Sequence, residues 1–249
     1  MMKKIELSYS FIFIAFSFII TGHFINFIIF FSIIFIHELG HILIAKLFNV
    51  KINKIIFYPY GGITKLEYLI NINLYKELLI SFGGFLFQFI YYFIIYYLYK
   101  NNIIREYVYL LFYKYHYSIF IFNILPIIPL DGFKILNTII NYIFNYNLSN
   151  YISVVISFIS IILFLYLNNN FDYSFILILS ILIKNIYEYL FNIKYLYNRF
   201  LLERYLYDIK YKDKKIINNK YKFYRNKNHY IKYNNSYKKE KEYLNILFK

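Results

Sequence analysis

The sequence predicts an all-α polytopic membrane protein with about six transmembrane helices and a small membrane-associated β-hairpin. Of its 249 residues, 60% are hydrophobic and only 16% are charged, whereas soluble domains are close to half apolar and a quarter charged. The apolar residues collect before about residue 195 in runs of about 20 residues with almost no charge. Such runs are long enough to cross a hydrocarbon core about 30 Å thick.

Six apolar spans follow one another along the chain. The first follows Met1-Met2-Lys3-Lys4, which is similar to the start of a signal peptide, but no small-residue cleavage site comes after it, so we expect a retained helix. The expected ranges are 7–22, 24–48, 74–99, 107–125, 150–168 and 172–193.

The distribution of Lys and Arg predicts the orientation of these spans. An even number of spans places both termini on one side of the membrane, and most basic residues lie on that side. The positive-inside rule makes that side cytoplasmic. We therefore expect a multi-pass protein of the cell membrane with both termini in the cytoplasm.

The segment between the second and third spans is predicted to form the hairpin. Residues 55–60 and 63–67 are typical of extended backbone, and Gly61-Gly62 between them are typical of a turn. Extended backbone at membrane depth persists only where protein or a wet cavity covers it. A plain surface loop remains the alternative.

Composition divides the chain into a transmembrane domain, residues 1–194, and a basic cytoplasmic tail, residues 195–249. From Lys194 onward, the chain contains sixteen Lys and Arg residues but only five Asp and Glu residues. A polybasic segment that follows a final transmembrane helix is expected to contact anionic lipid, with plain solvation as the alternative. A basic, Tyr-rich tail could also suggest nucleic acid, but we expect none to bind.

The second span contains His37-Glu38-Leu39-Gly40-His41. Residues four apart lie on one face of a helix, so the two imidazoles can hold Zn²⁺ while Glu38 acts as a general base on water. A purely structural role, in which these side chains bond to neighbouring helices, would not require this spacing. Ionisable residues inside a membrane span usually mark a functional site.

A catalytic zinc needs a third protein ligand, and Asp131 is the preferred candidate. It follows Pro126 and Pro129, which are expected to break the fourth span near its cytoplasmic end. His23 lies fourteen residues before His37, about 21 Å along a helix, and cannot reach. Of the other candidates, His116 lies in the middle of a span and His229 in the tail, whereas the spacing leaves Glu67 and Glu77 open. Asp131 could also belong to an ordinary Asp-Gly turn.

Together these motifs resemble the site-2 protease family of intramembrane zinc metalloproteases, and within it the stage IV sporulation FB group. The resemblance covers most of residues 15–205. Its motifs are the zinc-binding helix, Pro59-Tyr60-Gly61-Gly62, the stretch from Asn123 to Gly132 followed by Lys134, and Arg199 to Tyr205.

The resemblance implies a role for each matching residue. His37, His41 and Asp131 would hold one zinc ion per chain, and Glu38 would be the acid and base. Asn123 would help to orient the substrate or the oxyanion, and the hairpin with Gly61 and Gly62 would pair with the substrate as an added strand.

The sequence also departs from the family pattern. Gly83-Gly84-Phe85-Leu86-Phe87-Gln88 stands where the family often has Ala-Gly-Pro-x-x-Asn, so that Phe85 replaces the proline and Gln88 the asparagine. Phe133 stands where a second glycine is usual.

The function expected from these residues is hydrolysis of a peptide bond in a membrane-associated protein substrate, close to the cytoplasmic face. The resemblance implies a sporulation sigma-factor precursor as that substrate, and regulatory membrane proteins as partners. The alternatives are a non-catalytic zinc-binding scaffold, a transporter, or a zinc hydrolase for a non-peptide substrate. Glu38 argues against the first two, and no internal repeat supports a transporter.

Overall fold

The computed structural model describes residues 4–58, 61–67, 70–167, 173–207, 209, 211, 213–218, 220–233 and 236–248. The helices are α1 (Tyr9–Ile20), α2 (Phe24–Leu47), α3 (Leu74–Lys100), α4 (Glu106–Ile124), α5 (Asp131–Ile143), α6 (Tyr146–Leu167), α7 (Tyr173–Leu206) and α8 (Glu240–Leu247). The strands are β1 (Lys4–Leu7), β2 (Lys51–Tyr58), β3 (Gly61–Glu67), β4 (Lys214–Ile217), β5 (Asn228–Tyr233) and β6 (Ser236–Lys239).

The structure is mostly helical, and each of the six predicted spans coincides with a helix. Among the described residues, α2, α3, α6 and α7 are long and apolar enough to cross a membrane, judged by length and composition. Helix α1 has only 12 residues. The count of six transmembrane helices therefore stays a prediction, whereas a helical membrane protein with several spans is supported.

Local sequence explains where several helices begin and end. The Ser8 hydroxyl accepts a hydrogen bond from the Phe11 amide at 3.1 Å and caps α1. Gly22, between α1 and α2, has a φ of +73°, a left-handed conformation that glycine adopts without steric cost. Pro126 and Pro129 separate the end of α4 from the start of α5, which confirms the predicted helix break before Asp131.

The predicted hairpin is confirmed as a pair of antiparallel strands, β2 and β3, in which Phe57 pairs with Gly62 and Tyr58 with Gly61. The predicted position of the turn was wrong, because Gly61 and Gly62 are already the first residues of β3. Residues 59–60, predicted as part of the first extended segment, lie outside the described residues. Strand β1, which the sequence analysis did not predict, adds to β2 in parallel. Both β2 and β3 pack against α2, so the sheet lies beside the helix that carries the zinc motif.

The chain divides into two compact units. The first comprises Met1–Tyr68 and Leu79–Ile124, and the second comprises Leu69–Leu78 and Leu125–Lys249. The core of the first unit is apolar and is formed by α1, α2 and α4; its buried members include Phe11, Ile33, Ile34 and Phe112.

The second unit contains a folded segment that the sequence analysis treated only as a basic tail. Strands β4, β5 and β6 form a sheet in that order, and α8 packs on β5, β6 and the end of α7. The shared core contains Phe200, Phe223, Ile231 and Leu244, each fully buried. We call the described residues between 211 and 248 the C-terminal module. The domain boundary at residue 194 stays a prediction, and α7 continues past it to Leu206.

Candidate metal centre

His37, Glu38 and His41 form a compact group on α2. All three are buried, with 2%, 5% and 4% of their surface exposed, and their candidate ligand atoms lie within 4.8 Å of one another. The Nε2 atoms of the two histidines are 3.1 Å apart. The four-residue spacing has therefore placed both rings on one helical face, as predicted.

Helix α3 fixes the orientation of both imidazole rings. Nδ1 of His41 donates a hydrogen bond to the backbone oxygen of Ile80 at 2.7 Å. Nδ1 of His37 lies 3.0 Å from Oε1 of Gln88, whose Nε2 donates to the backbone oxygen of His116 at 3.0 Å. Because both partners of the histidines are acceptors, each ring carries its proton on Nδ1 and presents the lone pair of Nε2 as a ligand.

The space beside the two Nε2 atoms fits a metal ion. Two ligands about 2.0–2.1 Å from a tetrahedral zinc are about 3.3 Å apart, close to the 3.1 Å observed. Gly84 of α3 faces this point, and a Cβ atom there would come within 2.5 Å of Nε2 of His37 and closer still to Nε2 of His41. Glycine thus leaves open the space that a ligated ion needs.

A second glycine contact brings α2 and α3 together. A Cβ atom on Gly40 would overlap the backbone oxygen of Gly83, and one on Gly83 would lie 2.7 Å from the backbone oxygen of Gly40. Small residues at such a crossing let two membrane helices approach closely. This approach is what brings the acceptors of α3 within reach of the histidines of α2.

Residues 25–105 match the profile of peptidase family M50, a range that includes the histidine pair, Glu38 and Gln88. The chain is 34% identical over 118 residues to the stage IV sporulation protein FB of Bacillus subtilis, a match that covers 47% of this chain and 41% of that protein. Its fold is similar to that of the site-2 protease from Methanocaldococcus jannaschii, with a TM-score of 0.51 and 27% identity over 79% of this chain and 90% of that one.

Residues 25–105 thus carry the pattern of peptidase family M50, and the fold is similar to that of a site-2 protease. The members of peptidase family M50 are zinc metalloproteases, which agrees with a buried group able to hold a metal ion. The profile match ends at residue 105, so it includes neither Asn123 nor Asp131.

The remaining site-2 protease residues expected from the sequence lie on other elements. Asp131 is the first residue of α5 in the second unit; it is buried, and its carboxylate pairs with Nζ of Lys134 at 2.8 Å. Asn123 is half-buried in the last turn of α4, and Gly61 and Gly62 begin β3. Their roles as ligand and substrate contacts stay predictions.

Two of the alternative ligands are committed to other contacts. Glu77 pairs with Arg225 at 2.7 Å, and His229 pairs with Glu240 at 2.9 Å. The ring of His116 lies among aromatic rings of α3 and α4, with its centroid 5.0 Å from that of Tyr92. Glu67 is the last residue of strand β3.

Sequence reasoning missed the residues that orient the histidines. Gln88 was noted only as a departure from the site-2 protease pattern, and no role was predicted for Gly84 or for the Ile80 carbonyl. The available signal was the rarity of polar residues and glycines in an apolar span, since Gln88 is fully buried and the chain has only seven glycines. A backbone carbonyl leaves no such signal.

Proposed function

We propose that the chain is a zinc metallopeptidase that hydrolyses a peptide bond of a membrane-associated protein substrate, near the cytoplasmic face. The observation that carries this proposal is the buried group of His37, Glu38 and His41 on an apolar helix, with both rings oriented by α3. Orienting each ring through its distal nitrogen raises the basicity of the ligating nitrogen.

Nε2 of His37 and Nε2 of His41 would hold one zinc ion per chain, and Asp131 would be the third ligand. When bound, the ion would activate water and polarise the carbonyl of the scissile bond. Asp131 is only 6% exposed, and a buried carboxylate is costly without cationic partners. Lys134 is one such partner, and a bound zinc ion would be a further one.

Glu38 would act as the general base and then as the general acid. It lies next to His37 in sequence and is 5% exposed, in reach of the same site. Its carboxylate would take a proton from the attacking water and return it to the amine nitrogen that leaves. A scaffold or a transporter would not need a carboxylate that accepts and then returns a proton.

The three-stranded sheet is the proposed site of substrate capture. In the order β1-β2-β3, strand β3 has β2 on one side, so a substrate segment could add to its other edge by main-chain hydrogen bonds. Gly61 and Gly62 start this strand and would leave room for the added backbone. Asn123, on the last turn of α4, would orient the carbonyl that is attacked.

The likeness to a stage IV sporulation protein supports a finer proposal. The substrate would be a membrane-associated sigma-factor precursor, and regulatory membrane proteins would control access to it. We place the chain in the cell membrane with both termini cytoplasmic and with anionic lipid near the basic residues of the C-terminal module.

The proposal is tested by co-expression of the chain with a tagged substrate and by metal analysis of the purified protein. We expect wild type to cleave and to contain one zinc, Glu38→Gln to contain zinc without cleaving, and Asp131→Ala to lose both. Retention of full zinc affinity in Asp131→Ala would remove Asp131 from the ligand set. Cleavage by Glu38→Gln would contradict the mechanism.

A further inference from the structure

The segment that leads into α3 is held by buried polar groups of the second unit. Asn71, 3% exposed, donates to the carboxylate of Glu203 from its backbone amide at 3.2 Å and to the Phe200 carbonyl from its side chain at 3.0 Å. Its side-chain oxygen accepts from Nε of Arg204 at 2.9 Å, and its backbone oxygen accepts from the Tyr211 hydroxyl at 3.2 Å. This residue is therefore fixed from several directions.

Arg204 joins this segment to the C-terminal module. Its side chain is 1% exposed, and a guanidinium has five N–H donors. The five acceptors within reach are Oδ1 of Asn71, Oε1 of Glu240 and the backbone oxygens of Tyr224, Arg225 and Lys227, at 2.7 to 3.1 Å. A buried cation with matched acceptors holds its neighbours in one arrangement.

Arg225 extends the same contact onto α3 itself. Its guanidinium, 4% exposed, pairs with the carboxylate of Glu77 at 2.7 Å, and Glu77 lies in the first turn of α3. Ile80, whose carbonyl fixes the ring of His41, is three residues further along this continuous helix. That separation is about 4.5 Å of helical rise, less than one turn.

We propose that the C-terminal module, acting through Arg225 and Glu77, positions the start of α3 and so sets the orientation of the two zinc-binding histidines. Glu77 and Arg225 are positioning residues: they act on the metal centre through the Ile80 carbonyl and the Gln88 amide. This inference rests on the proposed zinc site. It gives the basic tail a role inside the enzyme in addition to any contact with lipid.

A simpler role for the same contacts is anchoring of the C-terminal module to α7 and to the start of α3. Anchoring alone predicts that breaking the Glu77–Arg225 pair loosens the module and leaves the metal centre as it was. Positioning predicts that the metal centre changes as well. Zinc affinity and the visible spectrum of the cobalt-substituted protein distinguish the two roles, because both report on the ligands directly.

The test uses the full-length protein in detergent, with zinc affinity measured by competition with a chelator. We expect Glu77→Gln to weaken zinc binding about tenfold, the lower end of the effect of outer-shell changes, and to shift the cobalt spectrum. The charge reversal Glu77→Arg with Arg225→Glu should recover most of the lost zinc affinity. The matched control is Glu188→Gln, which breaks the exposed Lys184–Glu188 pair on α7 and should change neither quantity.

If Glu77→Gln is not recovered in folded form, Glu77→Asp is used in its place. This variant keeps the charge on a shorter side chain, and we expect a smaller loss of zinc affinity. Wild-type zinc affinity and cobalt spectrum in both variants would overturn the inference, even if hydrogen exchange showed a loosened module. Neither readout requires cleavage, so failure of the protease proposal would appear separately, as a zinc-loaded wild type that does not cleave. A wild type that binds neither ion would overturn both proposals.

Discussion

Oε1 of Gln88 lies 3.0 Å from Nδ1 of His37, and the amide nitrogen of the same side chain bonds to the backbone oxygen of His116. The second bond determines which end of the amide faces the histidine, so Gln88 presents an acceptor to it. The ring of His37 is thereby held with Nε2 available to a metal.

We expect Gln88→Leu to weaken zinc binding about 10- to 100-fold, because loss of a partner of a metal-binding histidine has that effect in other sites. Zinc competition measures the change. Gln88→Glu is the matched variant: it keeps an acceptor for His37, although it adds a negative charge and loses the donor to His116, and it should retain more affinity than Gln88→Leu. Equal affinities in the two variants would show that the bond to His37 is unimportant.

Gly84→Ala is expected to abolish metal binding. The added Cβ would come within 2.5 Å of Nε2 of His37 and closer to Nε2 of His41, so one ring must move out of the position it needs. Metal analysis should find almost no zinc in this variant, because a tetrahedral zinc needs its ligands at fixed short distances. The control is Ser118→Ala on α4, whose exposed hydroxyl donates to the Lys114 carbonyl of its own helix; this variant should keep its zinc.

Arg204→Met is expected to destabilise the C-terminal module by about 3 kcal/mol, because it removes the cation of a buried ion pair and leaves the backbone oxygens that accept from Arg204 without that donor. The partner here is Glu240, 2.7 Å from Arg204. The opening free energy of peptides from the module, measured by hydrogen exchange, gives the value.

The control for Arg204→Met is Lys184→Met, which removes an exposed ion pair and should cost less than about 1 kcal/mol. A similar small effect of Arg204→Met would mean that the buried network contributes little to the stability of the module.

Acid is expected to loosen the C-terminal module through His229 and Glu240. Burial lowers the pKa of His229 below its usual 6.5 despite the hydrogen bond to Glu240, and Nε2 of the ring already accepts from the Tyr224 amide, so protonation must break that bond. Burial works to raise the pKa of Glu240, but the bond from His229 and the charge of Arg204 outweigh it and leave the pKa below 4.5.

The signs of these two shifts agree. Between the folded pKa of His229 and 6.5 the unfolded chain binds more protons, so stability is lost as pH falls below about 6.5. The contribution of Glu240 is present above about 4.5 and is lost as pH falls through its folded pKa. Hydrogen exchange across residues 224–240, corrected for intrinsic rates, should show protection decreasing from pH 7.5 to pH 5. His229→Gln should flatten the upper part of this dependence, and an unchanged profile would contradict the assignment to His229.

The helices and the histidine pair were predictable because their signals are local. Runs of apolar residues determine the spans, and the four-residue spacing of His37 and His41 determines a shared helical face. The prolines at 126 and 129 predicted the helix break before Asp131 for the same reason, since each acts on its own backbone.

The supporting contacts were not predictable because they join residues that are far apart in sequence. The carbonyl of Ile80 has no side-chain signal, and the approach of Gly84 to the histidines depends on how α2 and α3 cross. The fold of the C-terminal module was not predicted because the segment is highly charged. Arg204 and Arg225 look like solvated basic residues in the sequence, yet both are buried against acceptors. Composition reports charge and cannot report where the acceptors lie.

The most direct test of the zinc peptidase assignment is reconstitution of the purified protein after removal of metal. The metal-free chain and a membrane-associated substrate are mixed in detergent, and zinc is added in steps. We predict that wild type regains cleavage as one zinc binds per chain, and that Glu38→Gln binds the same zinc without cleaving. Cleavage by the metal-free chain, or by Glu38→Gln at the wild-type rate, would contradict the assignment.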